Sequence, residues 1–379
     1  MKIIATATSD LSTDQRMQRI CSALSEAGYE VLLVGRELPT SRSLTERAFK
    51  QHRLRCRFTK GKAFYVEYNL RLFWFLLSQP FAVVNAVDTD TLLAAYAAAR
   101  LRGKKVVLDA HEYFSEVPEV VDRPFTKWVW EAVARVLYPR VDAAYTVGAT
   151  LAKVLEARYG IPFAVVRNVP FATPLHHDTP SRVGEETTAN PTPATPYILL
   201  YQGALNAGRG LEALLNTMPL LPNCQLWIAG EGDLSKSLRL TAQRDGLSAQ
   251  VTFLGLLTPD ELHAVTQKAH IGLNLLEPRG LSYHYSLANK FFDYVQAEIP
   301  AIHPAFPEYL ALQNGAPTSQ GYAVGTTVSD LLPATIATAV QQILHPKQYA
   351  AYVAACREAK AVWTWENEKP ALLVVYETL

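Results

Sequence analysis

Strand-like and helix-like segments alternate twice along this chain, and the two series are separated by a stretch that fits neither pattern. In the first series, residues 2–8, 29–34, 82–87, 105–108, 142–147 and 163–166 are short apolar runs that read as buried strands. Residues 14–27 place Met17, Ile20, Cys21 and Leu24 on one helical face and stop at Gly28, and residues 91–101 read as a further helix. A strand that returns to its sheet through a helix runs parallel to its predecessor, so such a series builds a parallel sheet with helices on both faces. From 171 to 196 the chain is rich in Pro, Thr, His and Glu without periodicity, which predicts a linker or mobile loop. The alternation restarts at 197–201, 225–229, 251–254, 271–276 and 301–302. The expected fold is α/β, with two Rossmann-like doubly wound domains, 1–170 and 197–348, facing a central cleft. Residues 349–379 are expected to be helices that cross back to the first domain. The length of 379 residues agrees, because single cores stop growing near ~250–300 residues.

Open α/β sheets bind ligands beyond the carboxyl ends of their strands. Three such ends in the second series carry chemistry. Ser282-Tyr283-His284-Tyr285-Ser286-Leu287-Ala288-Asn289-Lys290 follows the strand at 271–276 and leads into a helix bearing Phe291, Phe292, Tyr294 and Val295. A small polar turn there leaves N–H groups at the positive end of a helix dipole, which suits phosphate. Lys290 adds a cation, and Asp293, one turn further on, can accept hydrogen bonds from a ribose diol. A second turn holds Gly203, Gly208, Arg209 and Gly210, so backbone can approach a phosphate with Arg209 as its counter-charge. The third, Gly230-Glu231-Gly232-Asp233, permits close approach or positive φ. The last two also have plainer readings: a strand–helix turn with a solvated Arg, and a tight turn with Asp233 as helix cap.

Together, Gly203 to Gly210, Ala229 to Asp233, Thr258-Pro259-Asp260-Glu261-Leu262 and Ser286 to Pro300 resemble the C-terminal domain of family-4 glycosyltransferases of the GT-B fold. The first half agrees: Asp10-Leu11-Ser12-Thr13-Asp14-Gln15-Arg16, Asp109-Ala110-His111-Glu112-Tyr113 and Val166-Arg167-Asn168-Val169-Pro170 resemble the acceptor domain of a bacterial branch. The resemblance implies a donor site of Gly203, Arg209, Glu231, Tyr285, Ser286, Leu287, Asn289, Lys290 and Asp293. Arg209 stands where the family usually has a Lys on the donor diphosphate, and Ala204 where it has an Arg. Tyr285 replaces the first of two family glutamates and Asp293 the second, while Glu298 stands where Gly is common. His111 is expected to point at the transferred sugar or the acceptor, with a capping His as the plainer reading. Glu112 is expected as a base or positioning group, and Asp14, Gln15 and Arg16 as acceptor-facing residues. Arg209 and Lys290 join His111 and Glu112 as catalytic candidates.

Asp88-Thr89-Asp90 has the spacing of a metal motif, but it ends a strand and opens a helix, so N-capping is the preferred reading. Residues 42–62 are strongly basic, and Phe64, Tyr65, Tyr68, Leu70, Phe73, Trp74 and Phe75 follow at once. Such a segment, 42–76, suits an anionic membrane surface, with a solvated loop and buried helix as the alternative; Trp128 and Trp130 are candidates to extend it. The net charge of +1 gives no general attraction to nucleic acid. Four scattered cysteines fit a reducing compartment rather than a disulfide or zinc scaffold. No secretory signal or spanning segment is read, so a cytoplasmic protein, peripheral on a membrane, is expected. The resemblance implies transfer from a nucleoside-diphosphate sugar to a glycan or lipid-linked acceptor, with retention and with neither metal nor cofactor. A nucleotide-sugar 2-epimerase and a non-catalytic sugar-nucleotide-binding subunit are the alternatives.

Overall fold

A computed structural model describes residues 1–12, 14–172, 196–315 and 320–379. Most of the stretch read as a linker, 173–195, lies outside the described residues, as does Thr13. The chain divides into two compact units: Met1–Asn168 with Gly280–Ser286 and Trp365–Leu379, and Val169–Arg279 with Leu287–Thr364.

The first unit holds β1 (Lys2–Thr6), β2 (Glu30–Glu37), β3 (Lys50–Arg55), β4 (Val83–Val87), β5 (Lys105–Ala110), β6 (Ala143–Thr146) and β7 (Ala164–Val165). They form one parallel sheet in the order β3-β2-β1-β4-β5-β6-β7. Ile3, Ile4, Val84, Val107 and Leu108 are fully buried within it, which is why the interior strands read as continuous apolar runs. The chain goes one way from β1 and the other way from β4, so the loops after these neighbours diverge and leave a crevice.

Strand β3 was not expected. Lys-Gln-His-Arg-Leu-Arg offers one aliphatic residue, Leu54, and the strand pairs only with β2 at the sheet edge, where charged side chains face water. The basic segment, for which a solvated loop was the alternative reading, is therefore partly an edge strand. Helix Gly61–Ser78 follows and buries Phe64, Tyr68, Leu72 and Leu76, a four-residue spacing that puts one face inward.

The second unit holds β8 (Tyr197–Gln202), β9 (Cys224–Ala229), β10 (Val251–Gly255), β11 (Ile271–Leu273), β12 (Ala301–Pro304) and β13 (Gly325–Val328). Again all pairs are parallel, in the order β10-β9-β8-β11-β12-β13, so the divergence falls between β8 and β11. Strand β13, only Gly-Thr-Thr-Val, has no apolar run to reveal it.

Residues 349–379 do not cross back as one piece. Helix Pro346–Val362 stays with the second unit, packed on helices Asn289–Gln296 and Pro333–Leu344. Helix Trp365–Glu377 belongs to the first unit, where Glu368 accepts from the Arg167 side chain at 2.9 Å and from its backbone N–H at 2.9 Å. Glu298 sits at φ 58°, which accounts for a position where Gly is common. Its carboxylate is held by Arg357 at 2.8 Å and Lys360 at 3.2 Å.

Candidate active site

The candidate donor residues of the second unit begin where β8 and β9 end. The Gly203 N–H donates to Ala229 O at 2.9 Å, Leu205 N–H to Glu231 O at 3.1 Å, and Leu234 N–H to Leu205 O at 2.8 Å, so the two glycine turns are laced together. Gly230 has φ 140°, and a Cβ there would lie 1.9 Å from Gly203 O. Its glycine is thus a requirement of the lacing. Gly230→Ala is expected to cost well over ~1 kcal/mol, seen as a lower urea midpoint at unchanged slope; an unchanged midpoint would show that the turns are not closely laced.

Lys290 lies beneath Gly203, whose absent Cβ would sit 3.5 Å from its Nζ. The ammonium is 3.8 Å from the centroid of the Tyr201 ring and the residue is 7% exposed. Among the described residues it makes no ion pair with a carboxylate. Burial, and after it the charge of Arg209, hold the Lys290 pKa well below the ordinary lysine value, with Asp293 pulling weakly the other way. Two cations thus share a partly desolvated turn. A buried charge without a partner is costly, and an arriving anion removes that cost. Lys290 stands in the first turn of helix Asn289–Gln296, which no side chain caps; the Ala288 N–H donates to Tyr309 Oη at 3.0 Å. The positive end of that helix therefore adds to the same field.

Asp293 is oriented from behind. Gln202 Nε2 donates to its Oδ2 at 2.8 Å, and Gln202 Oε1 accepts from Thr266 Oγ1 at 2.9 Å. Glu231, expected on the donor, is instead engaged by Arg239 at 2.6 and 3.2 Å, which holds its carboxyl below the usual range.

The expected donor set also divides between units. Leu287, Asn289, Lys290 and Asp293 belong to the second, but Tyr285 and Ser286 belong to the first. Residues 280–286 form a short helix, Gly280–His284, that packs on the segments Phe114–Glu116 and Pro118–Val121. Gly280 at φ 78° makes this possible, because a Cβ there would meet Glu116 O at 2.3 Å. Tyr285 packs against the core of the first unit.

The crevice after β1 and β4 in the first unit is a cavity of about 290 Å³ lined by Thr8, Ser9, Asp14, Arg16, Asp88, Asp90 and His111 among others. Asp14 caps helix Gln15–Glu26, accepting from the Met17 N–H at 3.0 Å and from Ser9 Oγ. Gln15 is exposed and is not part of the lining. Arg16, expected to face an acceptor, lines the cavity and is also tied down behind it. It is 4% exposed and forks onto the fully buried Asp109 at 2.8 and 3.1 Å, with a third bond to Val166 O at 3.0 Å. His111 is half-buried on the cavity wall and Glu112 is exposed.

Asp88 and Asp90 do not cap their helix: Asp88–Leu101 starts after Val87 with no side-chain cap. Asp88 takes φ 55° and accepts from the Glu112 N–H at 3.1 Å, while Asp90 accepts from Thr8 Oγ1 at 2.6 Å. Both turn into the cavity, a role that acids at a strand–helix junction disguise as capping. Among the described residues no cluster of three or more His, Cys, Asp or Glu side chains is arranged to hold a cation. Burial pushes Asp90 up to about 7, and burial with the neighbouring Glu112 raises Asp88 well above its usual range. Between the unfolded value near 3.8 and about 7 the folded protein binds more protons at Asp90, so this group takes stability away as pH rises through that window. Asp90→Asn should therefore gain stability over the native chain between pH 4 and 7 in urea unfolding. A difference that is flat with pH would contradict the burial.

Known proteins resemble this chain in both halves. Residues 14–171 match the family described as Glycosyltransferase Family 4, and residues 184–277 match Glycosyl transferases group 1. No curated protein matches the chain. Among solved structures, sucrose-phosphate synthase from Thermosynechococcus elongatus aligns with TM-score 0.76 at 15% identity, covering 100% of this chain and 98% of that one. Anabaena Alr3699/HepE, solved in complex with UDP-glucose, aligns with TM-score 0.75 at 12% identity over 100% of both chains. A putative UDP-N-acetylglucosamine 2-epimerase from Listeria monocytogenes aligns with TM-score 0.59 at 12% identity over 100% of this chain and 96% of that one. At these identities the structural likeness is one of fold.

Proposed function

This chain is a glycosyltransferase of the GT-B fold, a Family 4 domain followed by a group 1 domain, and we propose that it moves a sugar from a UDP-sugar to a glycan or lipid-linked acceptor at an anionic membrane surface. The observation that carries the donor side is the buried Lys290 ammonium, unpaired with any carboxylate among the described residues and pressed by Arg209. That arrangement suits a pyrophosphate. Asp293, held by Gln202, receives the ribose diol.

As the glycosidic bond breaks, its electron pair leaves with the β-phosphate oxygen. Lys290, Arg209 and the first amides of helix Asn289–Gln296 stabilise the charge that collects there, which is the part a metal ion plays elsewhere. The acceptor hydroxyl attacks from the face the leaving group vacates, so configuration is retained, and a departing phosphate oxygen takes its proton. No strong protein base is then needed. His111 and the cavity acids serve to bind and orient acceptor hydroxyls.

Thermal-shift measurement against UDP-, GDP- and dTDP-sugars tests this reading. A UDP-sugar at ~100 times its Kd should stabilise by ~2.7 kcal/mol, and incubation with acceptor should give a glycoside. No shift with any nucleotide sugar would overturn the donor assignment, and release of an epimerised free donor would reassign the reaction.

A further inference from the structure

Helix Gly61–Ser78 is apolar on more than the face it buries. Val66, Leu70 and Trp74 are 61%, 57% and 66% exposed, and their four-residue spacing makes one outward stripe that begins with Lys62. Beside it runs the edge strand β3. His52, Arg53, Leu54 and Arg55 with Leu70, Arg71 and Trp74 line an open hollow of about 410 Å³. The stripe continues past Lys62, whose Nζ is 4.7 Å from the Phe125 ring. Phe125 in turn stacks on Trp128 with centroids 6.1 Å apart, and both are about two-thirds exposed. Trp130, by contrast, turns inward, edge-on to Tyr65 and Phe114.

Along β3 and the helix, cations outnumber acids, and the acids there are engaged. Glu67, the single acid of the helix, is used by Arg71 at 2.8 Å and by the N–H groups of Arg57 and Phe58 at 2.9 Å each. Glu37 is forked by Arg55 at 2.7 and 3.1 Å. Arg57, Lys60 and Lys62 remain exposed around the apolar stripe. Aromatic and aliphatic side chains ringed by cations match a bilayer interface, where rings sit among acyl chains and cations among phosphates. A second copy is a poor occupant, since a two-fold interface through this face would set cations against cations.

We propose that Lys62, Val66, Leu70, Trp74, Phe125 and Trp128 form the face by which the first unit sits on an anionic phospholipid surface. The inference rests on the reading that the acceptor is presented at such a surface, and it selects which residues of the basic-aromatic segment touch lipid.

Flotation of the full chain with phosphatidylcholine vesicles, with and without phosphatidylglycerol, tests it. Binding should require phosphatidylglycerol and weaken as salt rises. Trp74→Glu and Leu70→Glu should each weaken it about tenfold or more, and Lys62→Glu by about fivefold or more. Because these side chains are exposed, all three variants should keep the native melting temperature and the full UDP-induced shift. Failure of the native chain to float with phosphatidylglycerol, or equal flotation of Trp74→Glu, would overturn the proposal. So would a dimer that Trp74→Glu disperses without any vesicle binding, which would assign the face to a second copy. Loss of the UDP shift in the native chain would instead count against the donor site and leave the flotation result readable.

Discussion

Lys290→Met is expected to raise the melting temperature of the ligand-free protein while lowering kcat by ~10²–10³, or ~2.7–4 kcal/mol of transition-state stabilisation. The two effects have one cause. In the free protein the ammonium is 7% exposed, faces the Tyr201 ring and the nearby charge of Arg209, and lacks an ion-pair partner among the described residues. Taking a single ion out of water costs several kcal/mol, and an apolar chain of similar volume does not carry that cost. In the proposed reaction the same charge stabilises the departing diphosphate. A residue that costs stability and contributes rate is the signature of a functional site. The pH dependence has a defined sign. The folded pKa of Lys290 lies below its unfolded value near 10.5, so between the two the unfolded chain binds more protons there and stability rises with pH. The methionine variant lacks that slope, and its advantage should shrink toward pH 10. Parallel pH profiles of melting temperature for the two proteins would contradict the assignment.

Asp109→Ala should be the most damaging single change to the first unit, costing ~3–5 kcal/mol, because it strands a buried guanidinium. Arg16 and Asp109 are 4% and 0% exposed and share two hydrogen bonds. Asp109 lies in β5, two residues before His111, so the pair also fixes the end of the strand that carries a cavity residue. The double change Arg16→Met with Asp109→Leu should recover most of the lost stability, since neither charge is then stranded. Urea unfolding of the single and double variants measures this. Were Arg16 chiefly an acceptor ligand, Arg16→Met would instead raise the acceptor KM at an unchanged melting temperature.

The parts of the molecule legible in sequence are those whose signal is local. Interior parallel strands are buried on both faces and show as apolar runs, so β1, β4 and β5 stood out. Edge strand β3 did not, because Lys50 to Arg55 answer to water on one side. That the charge of Arg209 acts on Lys290 from another loop is a long-range fact; that Lys290 and Asp293 share one helix was readable, because a small polar turn at a strand end followed by a cation and an acid one helical turn later is a short-range pattern. The fate of Tyr285 was not. It depends on the close approach of Gly280 to Glu116 backbone, a long-range packing fact with no local mark. The pairing of Arg16 was illegible for the same reason, its partner Asp109 being 93 residues away. Asp88 and Asp90 carried a local signal that pointed the wrong way, since acids before a helix are commonest as caps.

Calorimetric titration of UDP in buffers of different ionisation enthalpy tests most directly whether Lys290 and Arg209 await a pyrophosphate. Binding should be accompanied by proton uptake that grows as pH rises through the depressed Lys290 value, and in Lys290→Met both the uptake and most of the affinity should vanish. UDP binding of equal strength in the two proteins, with no proton taken up at any pH, would contradict it.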